Sequence, residues 1–165
     1  MKSIPELKDS LPQTGRVIWI GVRPERRGEL QPLERVEATT QAGLAGDHNR
    51  RAGGKRQVTL IQAEHLQGVG SMLGRNEAIP PGLTRRNIVV AGINLLALQG
   101  RRFEIGTALL EATGPCHPCS RMEENLGPGG YNAMRGHGGI TARVLRDGDI
   151  ALGDAVRLAQ TPADE

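Results

Sequence analysis

Short apolar, often β-branched runs recur along the chain between turn residues, and in several of them apolar and polar residues alternate, as they do in strands that bury one face. The candidate strands are Gly15 to Arg23, Leu33 to Thr40, Arg56 to Gln62, Arg85 to Gly92, Arg101 to Gly106, Ala108 to Gly114, Ile140 to Gly148 and Asp154 to Ala159. Between the last two, Asp147-Gly148 predicts a type I′ hairpin, because both central positions of that turn need positive φ. Ile105-Gly106-Thr107 and Leu152-Gly153-Asp154 read the same way. Helical spacing occurs twice. Ala63, Leu66, Val69 or Gly70, and Leu73 form a stripe from Gln62 to Leu73, and a short helix fits Ser120 to Leu126, stopped by Gly127-Pro128. The predicted fold is mainly β: a closed or nearly closed barrel with a few short helices, since closure removes exposed strand edges. One domain over residues 15–160 is expected, flanked by loose tails at 1–14 and 161–165.

Composition adds limits to this picture. A chain of 165 residues suits a single core, and its 23 glycines and 10 prolines suit many tight turns. The first residues carry no apolar run, and nowhere do about eighteen apolar residues stand together as a membrane span requires. A soluble, cytoplasmic protein without membrane association is the expectation. The net charge is +3, and Lys2, Lys8 and Lys55 are the only lysines, so the positive charge is almost all arginine. Arginine's planar fork suits phosphate and carboxylate oxygens, although an arginine-rich composition also arises from coding bias. Trp19, Phe103 and Tyr131 are the only aromatic residues of the Phe, Trp and Tyr set. So few stacking groups argue against nucleic acid as a partner.

Both cysteines lie in "ATGPCHPCSRMEENLG", Ala112 to Gly127, and three uses are open to them. A structural zinc site needs about four ligands, of which C-x-x-C supplies half, and His48, His65, His117 and His137 show no H-x-x-x-H spacing. A dithiol redox site wants its first cysteine at the head of a long helix in an α/β sheet; a strand and one short helix flank this pair, which argues against that use. The third use is a single working thiolate. Cys119 stands at the predicted helix start beside Arg121, and both features favour the charged form. A soft sulfur there suits a soft metal centre or accepts a sulfur atom. A buried, inert cysteine is the structural alternative, against which the crowding of glycine and proline speaks for a functional loop.

Five stretches, taken in their order and spacing, resemble the MOSC domain, the family named after the C-terminal domain of molybdenum cofactor sulfurases. They are "GLAGDHN" (Gly43 to Asn49), "RQVTLIQAEHL" (Arg56 to Leu66), "LTRRNIVVAGINLLALQGRRFEIGTALLEAT" (Leu83 to Thr113), "PCSRM" (Pro118 to Met122) and "GHGGITARVLRDGDIALGDAVRL" (Gly136 to Leu158). The likeness is to the small standalone bacterial members. It implies a β-barrel and one essential cysteine, which Cys119 matches, while Cys116 stands where members vary. In members that are enzymes this cysteine is a thiolate ligand of molybdenum in a pterin cofactor, and N-hydroxylated compounds are reduced there. Other members belong to cofactor sulfurases whose pyridoxal phosphate sits on a separate N-terminal domain, which is not expected here.

On that basis Cys119 is the expected metal ligand. Arg56, Arg86, Arg121 and the "RGHGG" stretch with Gly138 and Gly139 are candidates for holding the cofactor's anionic tail. Asp47, His48 and Asn87 fall on family motif positions. Asp47 serves equally well as an Asx-turn or cap, and Asn87 as a partner for backbone groups at a strand start. His48 and His137 are candidate proton donors. The implied activity is a molybdenum cofactor-dependent reductase that detoxifies N-hydroxylated purines or similar compounds. With no four-cysteine iron–sulfur pattern and no G-x-G-x-x-G after a strand, electrons are expected from a separate flavin or iron–sulfur reductase. A non-catalytic carrier of the cofactor or of a persulfide on Cys119 is the alternative.

Overall fold

The computed structural model describes residues 1–160. A short helix, α1 (Ile4–Asp9), precedes β1 (Gly15–Val22), β2 (Gln31–Leu33), β3 (Arg35–Thr39), β4 (Gly43–Leu44) and β5 (Val58–Gln62). Helix α2 (Ala63–Met72) then leads to β6 (Ile88–Ala91), β7 (Arg102–Ile105) and β8 (Ala108–Pro115). Helices α3 (Ser120–Leu126) and α4 (Gly130–Met134) precede β9 (Ile140–Arg146), β10 (Gly148–Ala151) and β11 (Ala155–Leu158). Pairing runs β11, β7, β8, β9, β5, β6, β1, and β1 returns to β11, which closes a seven-stranded barrel. The seam between β1 and β11 consists of Gly15 opposite Val156 and Arg16 opposite Ala155. Neighbours around the ring are antiparallel except β5 and β6, and a parallel pair needs a crossover, which α2 supplies. β2 adds to β1, while β10, β3 and β4 form a second, smaller sheet.

The apolar run of β5 and β6 follows from burial on both faces. Val58, Leu60, Ile88 and Val90 point into the barrel core. Ile61 and Val89 point the other way, into a second cluster with Leu66 and Val69 of α2, Met122 and Leu126 of α3, and Met134 of α4. The barrel therefore has one wall backed by helices, and the segment bearing both cysteines runs into that backing.

Several local expectations are corrected. The run from Leu33 to Thr40 divides at Glu34 into β2 and β3, which belong to different sheets. Asp147-Gly148 is not a type I′ hairpin: neither residue has positive φ, and β10 pairs with β3 instead of β9. Gly148 is needed for close approach, since a Cβ there would lie 2.4 Å from the Ala108 nitrogen. Gly106, with φ of 55°, does sit in a hairpin joining β7 to β8. Gly153 turns the chain at a φ of 88°, but between strands of separate sheets. Residues 4–9 are helical where a loose segment was expected, because Ser3 and Glu6 form a reciprocal capping box and Arg101 pairs with Asp9 at 2.5 Å. The expected tail at 161–165 lies outside the described residues.

Candidate functional site

Two consecutive polar residues directly before β6, Arg86 and Asn87, organise the site. Asn87 accepts hydrogen bonds at Oδ1 from the Thr59 backbone nitrogen (3.1 Å) and hydroxyl (3.0 Å). Its Nδ2 donates to the Gly21 carbonyl (3.1 Å) and to Oδ1 of Asp47 (3.3 Å). Asp47, itself fully buried, accepts at Oδ1 from the Arg23 nitrogen (2.8 Å) and at Oδ2 from the Asn49 nitrogen (3.2 Å), the latter an Asx-turn. Burial pushes the Asp47 carboxyl up from the usual carboxylate range, against these hydrogen bonds and the nearby His48. The purely structural tasks considered for Asp47 and Asn87 are thus both present in the fold.

Arg86 is buried as well, and its guanidinium spends its donors on main-chain carbonyls. Nε reaches Gly138 (2.7 Å), Nη1 reaches Thr84 (2.9 Å), and Nη2 reaches Cys116 (3.1 Å) and His117 (3.4 Å). Burial lowers its pKa from the ordinary arginine value. The effect is to pin the segment before α3 against β6 and the start of β9. Cys116 is held further by its nitrogen, which donates to the Gly139 carbonyl (2.9 Å), and by Arg56 Nη2, which lies 3.8 Å from its Sγ. Cys116 is buried, whereas Cys119 is exposed and both thiols are free.

Cys119 opens onto a cleft of about 490 Å³ that also contains Asp47, His48, Arg56, Arg86, Asn87 and Arg121. Seven of the sequence-expected residues therefore meet in one place. Arg23, Arg26, Arg27, Arg85 and His117 line it too, and sequence reasoning did not single out any of these five. For the first three a signal existed, the arginine cluster in "RPERRG" directly after β1, but its facing direction depends on how the loop folds. The cleft holds seven arginines and one carboxylate, the buried Asp47. Nε and Nη1 of Arg23 are buried without any hydrogen-bond acceptor. Both ring nitrogens of His48 are near Arg23, Nδ1 at 3.2 Å from its carbonyl and Nε2 at 3.5 Å from Nη2, so this imidazole braces the arginine. The His117 ring has no hydrogen-bond partner among the described residues.

Three expected residues lie elsewhere. The ring of His137 packs edge-on against His65 with centroids 4.7 Å apart, and His137 does not line the cleft. Gly138 and Gly139 border a separate cavity of about 430 Å³ with His65. Their lack of a side chain is a packing requirement, because a Cβ would sit 2.0 Å from the Cys116 carbonyl at Gly138 and 1.8 Å from the Leu60 carbonyl at Gly139. No helix among the described residues is long and apolar enough to cross a membrane.

Comparison with known proteins agrees with this architecture. The family profile of the MOSC domain matches residues 47–157. Similar solved structures include the YuaD protein from Bacillus subtilis, with a TM-score of 0.76 at 18% identity, covering 90% of this chain and 97% of that one. YiiM from Geobacillus stearothermophilus gives 0.71 at 22% identity, over 88% of this chain and 75% of that chain. YiiM from Escherichia coli gives 0.67 at 18% identity, over 90% and 72% respectively. Comparison with curated protein sequences finds no match.

Proposed function

Because the chain belongs to the MOSC domain family, we propose that its arginine-lined cleft binds a molybdenum-bearing pterin cofactor through Cys119 and reduces N-hydroxylated compounds there. The observation that carries this reading is an exposed thiol set on the wall of a strongly positive cleft. The residues suit such a group. A thiolate is a soft ligand for a soft metal, the buried nitrogens of Arg23 call for anionic oxygens, and about 490 Å³ lies within the range of small-molecule sites. When bound, the cofactor supplies a centre able to take the hydroxyl oxygen from N–OH, the products being the amine and water after addition of two electrons and two protons. Those electrons come from a separate reductase.

The chain's own residues bind and orient. Arg23, Arg26 and Arg56 hold the anionic part, His48 keeps Arg23 in place, Arg86 fixes the backbone just before Cys119, and Asn87 holds Asp47 and the backbone at Gly21 and Thr59. His117 supplies a proton from a ring nitrogen. Metal analysis of protein made in cells that assemble the pterin cofactor tests the reading. Wild type and Cys116→Ser should carry stoichiometric molybdenum, and Cys119→Ser should carry none; molybdenum retained by Cys119→Ser would remove that sulfur from its role. A mass gain of one sulfur atom on Cys119 without molybdenum would favour the persulfide carrier instead.

A further inference from the structure

The segment that carries both cysteines borders two spaces. Cys119 opens onto the arginine-lined cleft, Cys116 borders the separate cavity of about 430 Å³, and His117 borders both. The two differ in character. Seven arginines surround the cleft, whereas no arginine, lysine, aspartate or glutamate lines the cavity. His65, on the cavity wall, is kept toward its neutral form, because burial and then the neighbouring His137 lower its pKa from 6.5. Leu95, Leu96 and Ile140, with Pro115 and Pro118, supply the apolar walls. A charged ligand would lose its hydration here and find no counter-ion.

Gln62, the last residue of β5, adds an independent sign. It is only 7% exposed, and it lines the cavity. Its Oε1 accepts from the Leu95 nitrogen at 3.2 Å, while its Nε2 donates to no group among the described residues. A buried amide with unused donors costs free energy, and a leucine would fill the same space without that cost. Those donors call for an oxygen acceptor, and the cavity is where one can reach them. The walls are also set in advance. Asn94 Oδ1 accepts from the Leu96 nitrogen at 3.2 Å and caps the 3-10 turn Leu95–Leu98. Arg86 Nε on the Gly138 carbonyl (2.7 Å) and the Cys116 nitrogen on the Gly139 carbonyl (2.9 Å) fix the glycine wall. A pocket held in this way binds with little ordering cost.

We propose that this cavity is a second ligand site, built for an uncharged, flat, hydrocarbon-rich ring that bears a carbonyl group. The carbonyl oxygen accepts from Gln62 Nε2, and the ring packs on Leu95, Leu96 and Ile140. Nitrogen-rich bases are excluded, because their ring donors and acceptors would meet leucine and proline without partners. Cys119 does not line the cavity, so the ligand is not transformed at that thiol. The site therefore stands whether or not the cleft holds a metal cofactor.

NMR titration of the isotope-labelled full chain tests this, with coumarin as the probe and adenine as the nitrogen-rich comparison. Coumarin should shift the amide resonances of Leu96, Gly136 and Gly139 and the side-chain amide of Gln62, leave those of Arg27 and Arg85 in place, and bind roughly tenfold or more tightly than adenine. Gln62→Glu keeps an oxygen for the Leu95 nitrogen but replaces the free donor by a charged acceptor, and should weaken coumarin roughly tenfold or more. Should that variant fail to fold, Leu96→Asp decides, because this side chain is 65% exposed and its replacement spares the core; it too should weaken coumarin. Cys119→Ser should bind coumarin as wild type does. Shifts confined to the cleft, the absence of any saturable shift, adenine binding as tightly as coumarin, unchanged affinity in either cavity variant, or loss of binding in Cys119→Ser would overturn the proposal.

Discussion

His117 is the one imidazole of the cleft that no neighbour engages, and this decides which histidine is suited to proton transfer. His48 is committed to Arg23 through both ring nitrogens, and His137 faces His65 outside the cleft. General acid catalysis contributes about a hundredfold or more where it operates. On the proposed reading, replacing His117 by Asn should lower reduction of an N-hydroxylated substrate about a hundredfold and leave molybdenum content unchanged, which steady-state kinetics and metal analysis on one preparation will check. At this scale the sequence was informative about which residues share one cleft and less so about what each of them touches. Cys119, Asp47, Asn87 and Arg86 were all legible as a set. Yet the donors of Arg86 end on Gly138 and Cys116, and those of Asn87 on Gly21 and Asp47. Such partners lie far along the chain, so an arginine expected to grip a ligand proves to grip the main chain.

Elements show the same division between pattern and contact. β5 and β6 were visible because burial on both faces favours runs rich in β-branched residues, and α3 because its end carries a stop signal at Gly127. β4 was not, since a strand of 2 residues displays no alternation, and β10 was not, because its first residue, Gly148, was read as part of a hairpin turn. Helix α4 escaped notice because its buried residues, Gly130, Ala133 and Met134, pack on α3 through a glycine instead of a large apolar side chain. The approach of β9 to the cysteine segment depends on Gly138 in a comparable way. In a Gly138→Ala variant the added methyl meets the Cys116 carbonyl at 2.0 Å and Arg86 Nη2 at 3.2 Å. Overpacking of this kind costs about 1 to 3 kcal/mol. Denaturant titration should show that loss, and thiol labelling of Cys119 should change in rate as the segment shifts.

For the molecule as a whole, the pH dependence of stability follows from a half-buried histidine and a buried carboxyl that act in opposite directions. Burial, then the neighbouring His137, lowers the pKa of His65 from its ordinary value of 6.5, outweighing the opposite pull of Glu64. A depressed histidine contributes stability that is present above the unfolded value and is lost as pH falls through the folded one. Asp47 is raised from its ordinary value of 3.8, so its contribution is present below that value and declines as pH rises. Comparing wild type with His65→Gln cancels the Asp47 part. From pH about 7.5 to about 5.5 the wild-type melting temperature should fall by more than that of the variant; parallel melting curves would exclude His65 as the cause. The overall barrel was legible because seven short runs with half-buried or doubly buried patterns have few ways to avoid open edges. The place where the ring closes was not, since the two residue pairs of the β1–β11 seam leave no mark in the sequence. Those two pairs join the first strand of the barrel to the last. During synthesis β1 can find β2 and then β6 while the ribosome is still adding residues, but its other flank has to wait for the final strand to emerge. The ring is completed only once β11 has emerged, and until then the nascent chain is an open sheet whose unsatisfied border is kept to a few residues.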